Sequence, residues 1–146
     1  MTDHPKMTPH LVCKDAPAAI DFYKEAFGAE EMMRLPGPDG KLMHAAITIN
    51  GAMVFLVEEN VGCGMQSPTS LGGSPVTLNL GVPSVDDAIA RAETAGAAVV
   101  MPAEDQFWGD RYGVVRDPFG HVWAFVTPIR QMSETELRQA AQAAFA

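Results

Sequence analysis

The chain has 146 residues, enough for one sizeable core and too few for two ordinary independent domains. Hydrophobic residues make up 47% and charged residues 19%, a globular balance that excludes a mostly disordered chain. Eighteen acidic against ten basic side chains give a formal charge of −8, which repels phosphate backbones and anionic lipid, so neither nucleic acid nor a membrane is expected as a partner.

The opening MTDHPKMTPH lacks the apolar stretch of a signal peptide, and no later run has the length of a bilayer span, so the expectation is a cytoplasmic protein. Cys13 and Cys63 stand far apart without CxxC spacing and read as two reduced thiols, one in a buried strand and one in a loop.

In chain order, "HLVCKDAPAAIDFYKEAFGAEEM" predicts a short strand and then a helix capped by Asp15 and ended by Gly28, with Ala16, Ile20, Tyr23 and Phe27 as its buried stripe. "HAAITINGAMVFLVE" follows as strand, turn at Gly51, strand. "NVGCGMQSPTSLGGSP" is rich in Gly, Ser and Pro and has the composition of a mobile linker. "LGVPSVDDAIARAETAGAAVVMP" then repeats the helix plan. Ser84 is the cap, Asp87 completes a capping box, Val85, Ala88, Ile89 and Ala92 form the stripe, and Gly96 is the stop. "RYGVVRDPFGHVWAFV" repeats the hairpin, with Gly120 matching Gly51. "QMSETELRQAAQAAFA" adds a helix with a Ser133–Glu136 capping box, a Met132–Leu137 staple and an apolar stripe of Leu137, Ala140, Ala141, Ala144 and Phe145.

The matches make the chain an internal duplication. Each half reads β-α-β-β-β, over residues 8–59 and 76–127, joined by a linker at 60–75 and followed by a helix at about 133–145, all within a single α+β domain.

Strand alternation divides the side chains into two faces. Ala45, Ile47, Ile49, Trp123 and Phe125 are expected beneath the helices. His10, Asn79, His44, Ala46, Thr48, Val122, Ala124 and Val126 are expected on the other face. In "FWGDRY", Trp108 suits stacking, Arg111 an anionic group and Tyr112 a hydrogen bond to a bound molecule. The competing expectation is that Trp108 fills a core edge and Arg111 pairs internally with Asp110 or Asp117. His121 is expected to be solvated or bonded within its turn rather than a ligand, and the scattered methionines, Met33 and Met101 among them, to serve adaptable packing.

Two tandem modules, with "AAIDFYKEAFG" opening one and "DPFGHVWAF" closing the other, resemble the vicinal oxygen chelate superfamily of glyoxalases, extradiol dioxygenases, and fosfomycin and bleomycin resistance proteins. "GPDGKLMHAAITING" and "FWGDRYGVVRDPFGHVWAF" are similar to its PhnB-like branch. The resemblance implies curved mixed sheets enclosing a ligand cavity, paired subunits and, in metal-dependent members, a divalent ion held by His and Glu from the first and last strand of each module.

Carried over by motif spacing, those positions are Thr8, Phe55 or Leu56, Thr77 and Ala124, none of which is a metal ligand. The expectation is therefore a metal-independent, cofactor-free homodimer that binds a small organic molecule, a drug or a hydrophobic metabolite, through His10, His44, Asn79, Trp108, Arg111 and Tyr112. The alternative is a metal-dependent lyase, isomerase or dioxygenase with a relocated site at His10, His44 and Glu58.

Overall fold

The structure, a computed structural model, describes residues 6–146. Its first half runs β1 (His10–Cys13), α1 (Ala16–Phe27), β2 (Glu30–Pro36), β3 (Leu42–Ile49) and β4 (Ala52–Glu58). A short helix α2 (Pro68–Leu71) lies in the connection. The second half runs β5 (Thr77–Gly81), α3 (Val85–Ala95), β6 (Ala98–Asp105), β7 (Asp110–Arg116) and β8 (Val122–Pro128), and α4 (Glu134–Ala144) ends the chain. The two four-stranded sheets have orders β1-β4-β3-β2 and β5-β8-β7-β6, each with one parallel pair at its inner edge and antiparallel pairs elsewhere.

The helix ends follow the local chemistry of the sequence. Asp15 Oδ1 accepts from the Ala18 N–H at 3.1 Å, and the chain leaves α1 through Gly28 in the left-handed conformation. Ser84 Oγ accepts from the Asp87 N–H at 3.3 Å, which is half of the expected capping box. The reciprocal bond is made at Ser133–Glu136, where the acid has the extra methylene needed to reach back.

The duplication extends to irregularities in the sheets. β2 shifts register just before Met33 and β6 just before Met101, at matching places in the two halves. His10 lies beside Phe55 in the first sheet as Asn79 lies beside Ala124 in the second.

Both sheets turn one face to a common helical core. Ala45, Ile47, Ile49 and Leu56 of the first sheet are buried there with Trp123 and Phe125 of the second, as alternation predicts. α1 crosses between the halves. Phe27 packs 4.8 Å from Trp123 and 5.6 Å from Phe125, and Tyr23 packs 5.5 Å from Trp123. α3 comes so close to β7 that a Cβ on Gly113 would stand 2.3 Å from Ile89 Cδ1, and a larger residue there would force the Ile89 side chain to shift.

Asp117, in the turn before β8, ties the halves together. Its Oδ2 accepts from the Tyr23 hydroxyl at 2.5 Å and from Trp123 Nε1 at 2.9 Å, and its Oδ1 from the N–H groups of Phe119 and His121. Four donors satisfy a carboxylate that is 3% exposed. The phenol of Tyr23, buried and beside that negative charge, is held well above its ordinary pKa.

The segment 60–75 departs from the linker its composition suggests. It forms a 3-10 turn and α2, and Ser67, fully buried, donates its N–H and hydroxyl to Glu59 Oε1 at 2.9 and 3.0 Å. Its glycines supply turns while its serines find partners. Conversely, α4 buries none of its residues, and its predicted stripe ends in Phe145, 82% exposed and touching Phe107 at 5.9 Å.

Candidate functional site

The faces of the two sheets turned away from the helices each carry a small group of aromatic and polar side chains. On the first sheet His10, His44 and Phe55 meet. The two imidazoles are 5.9 Å apart between ring centroids, and the Phe55 ring stands 4.8 Å from His44 and 6.1 Å from His10. β1, β3 and β4 deliver them from three adjacent strands, with His10 and Phe55 in direct register. Partial desolvation and the neighbouring His44 hold the His10 pKa below its ordinary value, which favours the neutral imidazole. Phe55 thus takes the open-face position and Leu56 the core, which decides between the two candidates of the sequence.

On the second sheet Tyr112 occupies the place that matches His44. Trp108, in the turn before β7, packs edge to face on Tyr112 at 5.6 Å, and Phe107 on Trp108 at 5.1 Å. A Cβ on Gly109 would meet the Arg130 carbonyl at 2.7 Å and its φ is +98°, so this aromatic turn is glycine-dependent and seated against the segment leading to α4. Asn79 lies on β5 opposite Ala124.

Arg111, adjacent to Tyr112, projects to the other face of the strand. Its Nε and Nη2 grip both oxygens of Asp86 at 2.7 and 2.9 Å, and Nη1 reaches Asp105 at 2.8 Å. The guanidinium holds the Asp86 carboxyl below its usual range and is itself stabilised in the charged form. It pairs internally, but with these carboxylates rather than Asp110 or Asp117, and fastens the first turn of α3 to β6 and β7. His121 donates from Nε2 to the Val12 carbonyl at 2.9 Å, a link between the halves that its turn position alone did not reveal.

The sites form two half-surfaces. Among the described residues the halves meet chiefly through α1 and α3, and no strand of one sheet pairs with a strand of the other. Along the adjoining edges of β1 and β5 runs a cleft of about 550 Å³, lined by His10, Leu11, Val76, Leu78, His121 and Val122. A second space of about 280 Å³ reaches Asn79 from beneath the hairpin of β3 and β4.

The donor set does not fit the metal of the metal-dependent relatives. Thr8 precedes β1, Thr77 starts β5, and Phe55 and Ala124 follow at the positions named from the motifs; two alcohols, a phenyl ring and a methyl group supply no carboxylate, imidazole or thiolate. The relocated set is not brought together either. Glu58 is on the opposite face from Phe55, and its Oε2 accepts from the Ala16 N–H at 2.8 Å, at the start of α1. Among the described residues no three His, Cys, Asp or Glu side chains are grouped to hold an ion.

A pair of β-α-β-β-β modules with helices on one face of each sheet and the other face open defines a class, and comparison with known proteins gives its name. Residues 3–125 match the model of the glyoxalase/bleomycin resistance protein/dioxygenase superfamily, and the chain belongs to that family. It is 54% identical over 139 residues to the protein Mb0911c of Mycobacterium bovis, covering 93% of this chain and 91% of that one. Its fold is similar to the crystal structure of TioX from Micromonospora sp. ML1, with 29% identity, a TM-score of 0.66, and coverage of 86% of this chain and 99% of TioX. It is likewise similar to the structure of the Arabidopsis thaliana product At5g48480, with 27% identity, a TM-score of 0.69, and coverage of 86% and 100%. No helix among the described residues is long and apolar enough to cross a membrane.

Proposed function

We infer that the protein binds a small organic molecule on the open faces of its sheets without a metal at the positions its family uses. The observation that carries the reading is the substitution of those positions by Thr8, Phe55, Thr77 and Ala124, beside aromatic and imidazole side chains that remain accessible. Phe55 and Trp108 offer flat apolar contact. His10, His44, Asn79 and Tyr112 offer hydrogen bonds, the mixture of apolar lining and few polar anchors that small-molecule sites use. Arg111 has no role in this reading, since its guanidinium is committed to Asp86 and Asp105.

A homodimer belongs to the same proposal. The outermost strands β2 and β6 expose Met32, Met33, Leu35, Val99, Val100 and Met101, apolar edges that a second copy would cover. The sequence motifs favour the PhnB-like branch within the family.

Tryptophan fluorescence tests the binding reading directly. Trp123 is buried and bonded to Asp117, whereas Trp108 is half-exposed, so a molecule seated on the open face changes the emission of Trp108. A library of small drugs and metabolites, titrated in chelator, is expected to give saturable changes that vanish in Trp108→Ala. Saturable changes that survive the substitution unaltered would place binding elsewhere.

A further inference from the structure

We propose that the second half-surface selects a flat organic cation: an aromatic ring system carrying a protonated or quaternary nitrogen. The proposal deepens the binding reading above and rests on it. Glu104 on β6 stands directly opposite Tyr112 on β7, so their side chains share the open face at cross-strand contact distance. Asp110, two residues before Tyr112, points to the same face. Two carboxylates therefore flank an aromatic pair, Trp108 and Tyr112, whose rings are 5.6 Å apart.

Neither carboxylate has a Lys, Arg or His partner among the described residues. The cations nearby are committed or distant. Arg111 lies on the reverse face with Asp86 and Asp105. Arg130 donates to the Phe107 carbonyl at 3.1 Å and pairs with neither acid. Arg116 shares the open face but sits four residues from Tyr112, about 13 Å along the strand.

An aromatic face carries negative potential that attracts a cation, and a carboxylate beside it adds to the attraction. A neutral ring gains only stacking there, and an anion is repelled. The first half-surface lacks this selectivity, because His10, His44 and Phe55 bring no carboxylate to the matching place, where Leu35 stands for Glu104. The chain's net charge of −8 favours cations at longer range as well.

Isothermal titration calorimetry with three bicyclic probes of one size tests the proposal: 1-methylquinolinium, 1-methylnaphthalene and 1-naphthoate. The cation is expected to bind about tenfold tighter than either of the others, with a preference that falls in added salt. In Glu104→Gln/Asp110→Asn the preference is expected to drop to about threefold or less while 1-methylnaphthalene binds as before, with an unchanged melting temperature showing that the fold is intact. Equal affinity for the cation and 1-methylnaphthalene, or an unchanged preference in the double variant, overturns the charge assignment alone. Absence of binding by all three probes, together with no binder in the library titration, overturns the binding reading and this proposal with it.

Discussion

Replacing Asp117 by Asn probes the junction between the two halves without changing its volume. The Oδ2 position takes the Tyr23 hydroxyl and Trp123 Nε1, and the Oδ1 position takes two backbone N–H groups. An amide must place its NH₂ at one of these positions. Opposite Oδ2, the Tyr23 hydroxyl can turn to accept, but the indole N–H can only donate and is left facing another donor. Trp123 is 3% exposed, so water does not rescue it. A stranded buried donor costs about 1–3 kcal/mol, and the lost charge weakens the remaining bonds by about 1 kcal/mol more. The expected loss is about 3 kcal/mol, or about 6–12 °C in melting temperature for a domain of this size. Urea unfolding followed by far-UV circular dichroism gives the value. Tyr23→Phe alone is expected to cost about 1–2 kcal/mol, and much less when Asp117→Asn is already present, because the two groups share one network. A loss below about 1 kcal/mol for Asp117→Asn, or independent effects of the two substitutions, would refute the claim that this carboxylate joins the halves.

Native protein is expected to take up one equivalent of iodoacetamide, at exposed Cys63; Cys13, buried and with its thiol pKa pushed up by burial and nearby carboxylates, reacts only after denaturation. Two rapid equivalents in native buffer would contradict the placement of Cys13. NMR titration is expected to place the His10 pKa below the ordinary imidazole value of about 6.5 and to move it up in His44→Gln. Because the folded pKa is the depressed one, the unfolded chain takes the proton more readily, so the contribution of His10 to stability is full above about pH 6.5 and is lost as pH falls towards the folded pKa. A His10 pKa at or above the ordinary value would contradict the packing of the two imidazoles. Light scattering after size exclusion is expected to give a dimer mass that Met33→Glu/Met101→Glu shifts towards monomer, since each charge would sit on an apolar outer strand. A monomer mass for the unaltered chain across a wide concentration range would overturn the proposed pairing.

What was legible in the sequence was mostly local. Asp15, Ser84 and Ser133 announce their helices because a cap needs only a side-chain oxygen and the N–H groups two or three residues on. The matched turns at Gly51 and Gly120 set the strand phase, and alternation separates the buried Ile47 and Trp123 from His44 and Asn79 on the other face. The same alternation separates Arg111 from Tyr112, although their adjacency in "FWGDRY" suggested one site. Long-range partners left no such mark. Nothing near Asp117 in sequence points to Tyr23, 94 residues away, and nothing near Glu58 points to the N-terminus of α1. Phe55 was legible as a motif position but not as the ring that completes the His10 and His44 cluster, since that contact needs three strands at once. Ser67 was hidden by composition, because its partner Glu59 lies outside the Gly- and Ser-rich stretch that surrounds it.

Occupation of the open face by an organic molecule, without help from a metal, is open to direct measurement. Amide and indole chemical shifts of the metal-stripped, ¹⁵N-labelled protein are mapped with a molecule found in the fluorescence titration. Saturable shifts are expected at the Trp108 indole N–H and at Tyr112, with the Trp123 indole N–H, buried against Asp117, nearly still. Shifts confined to the pocket between α1 and α3, which Phe27, Asn50, Ala88 and Arg91 line on the helix side, or binding that returns only when a divalent metal is added, would contradict this.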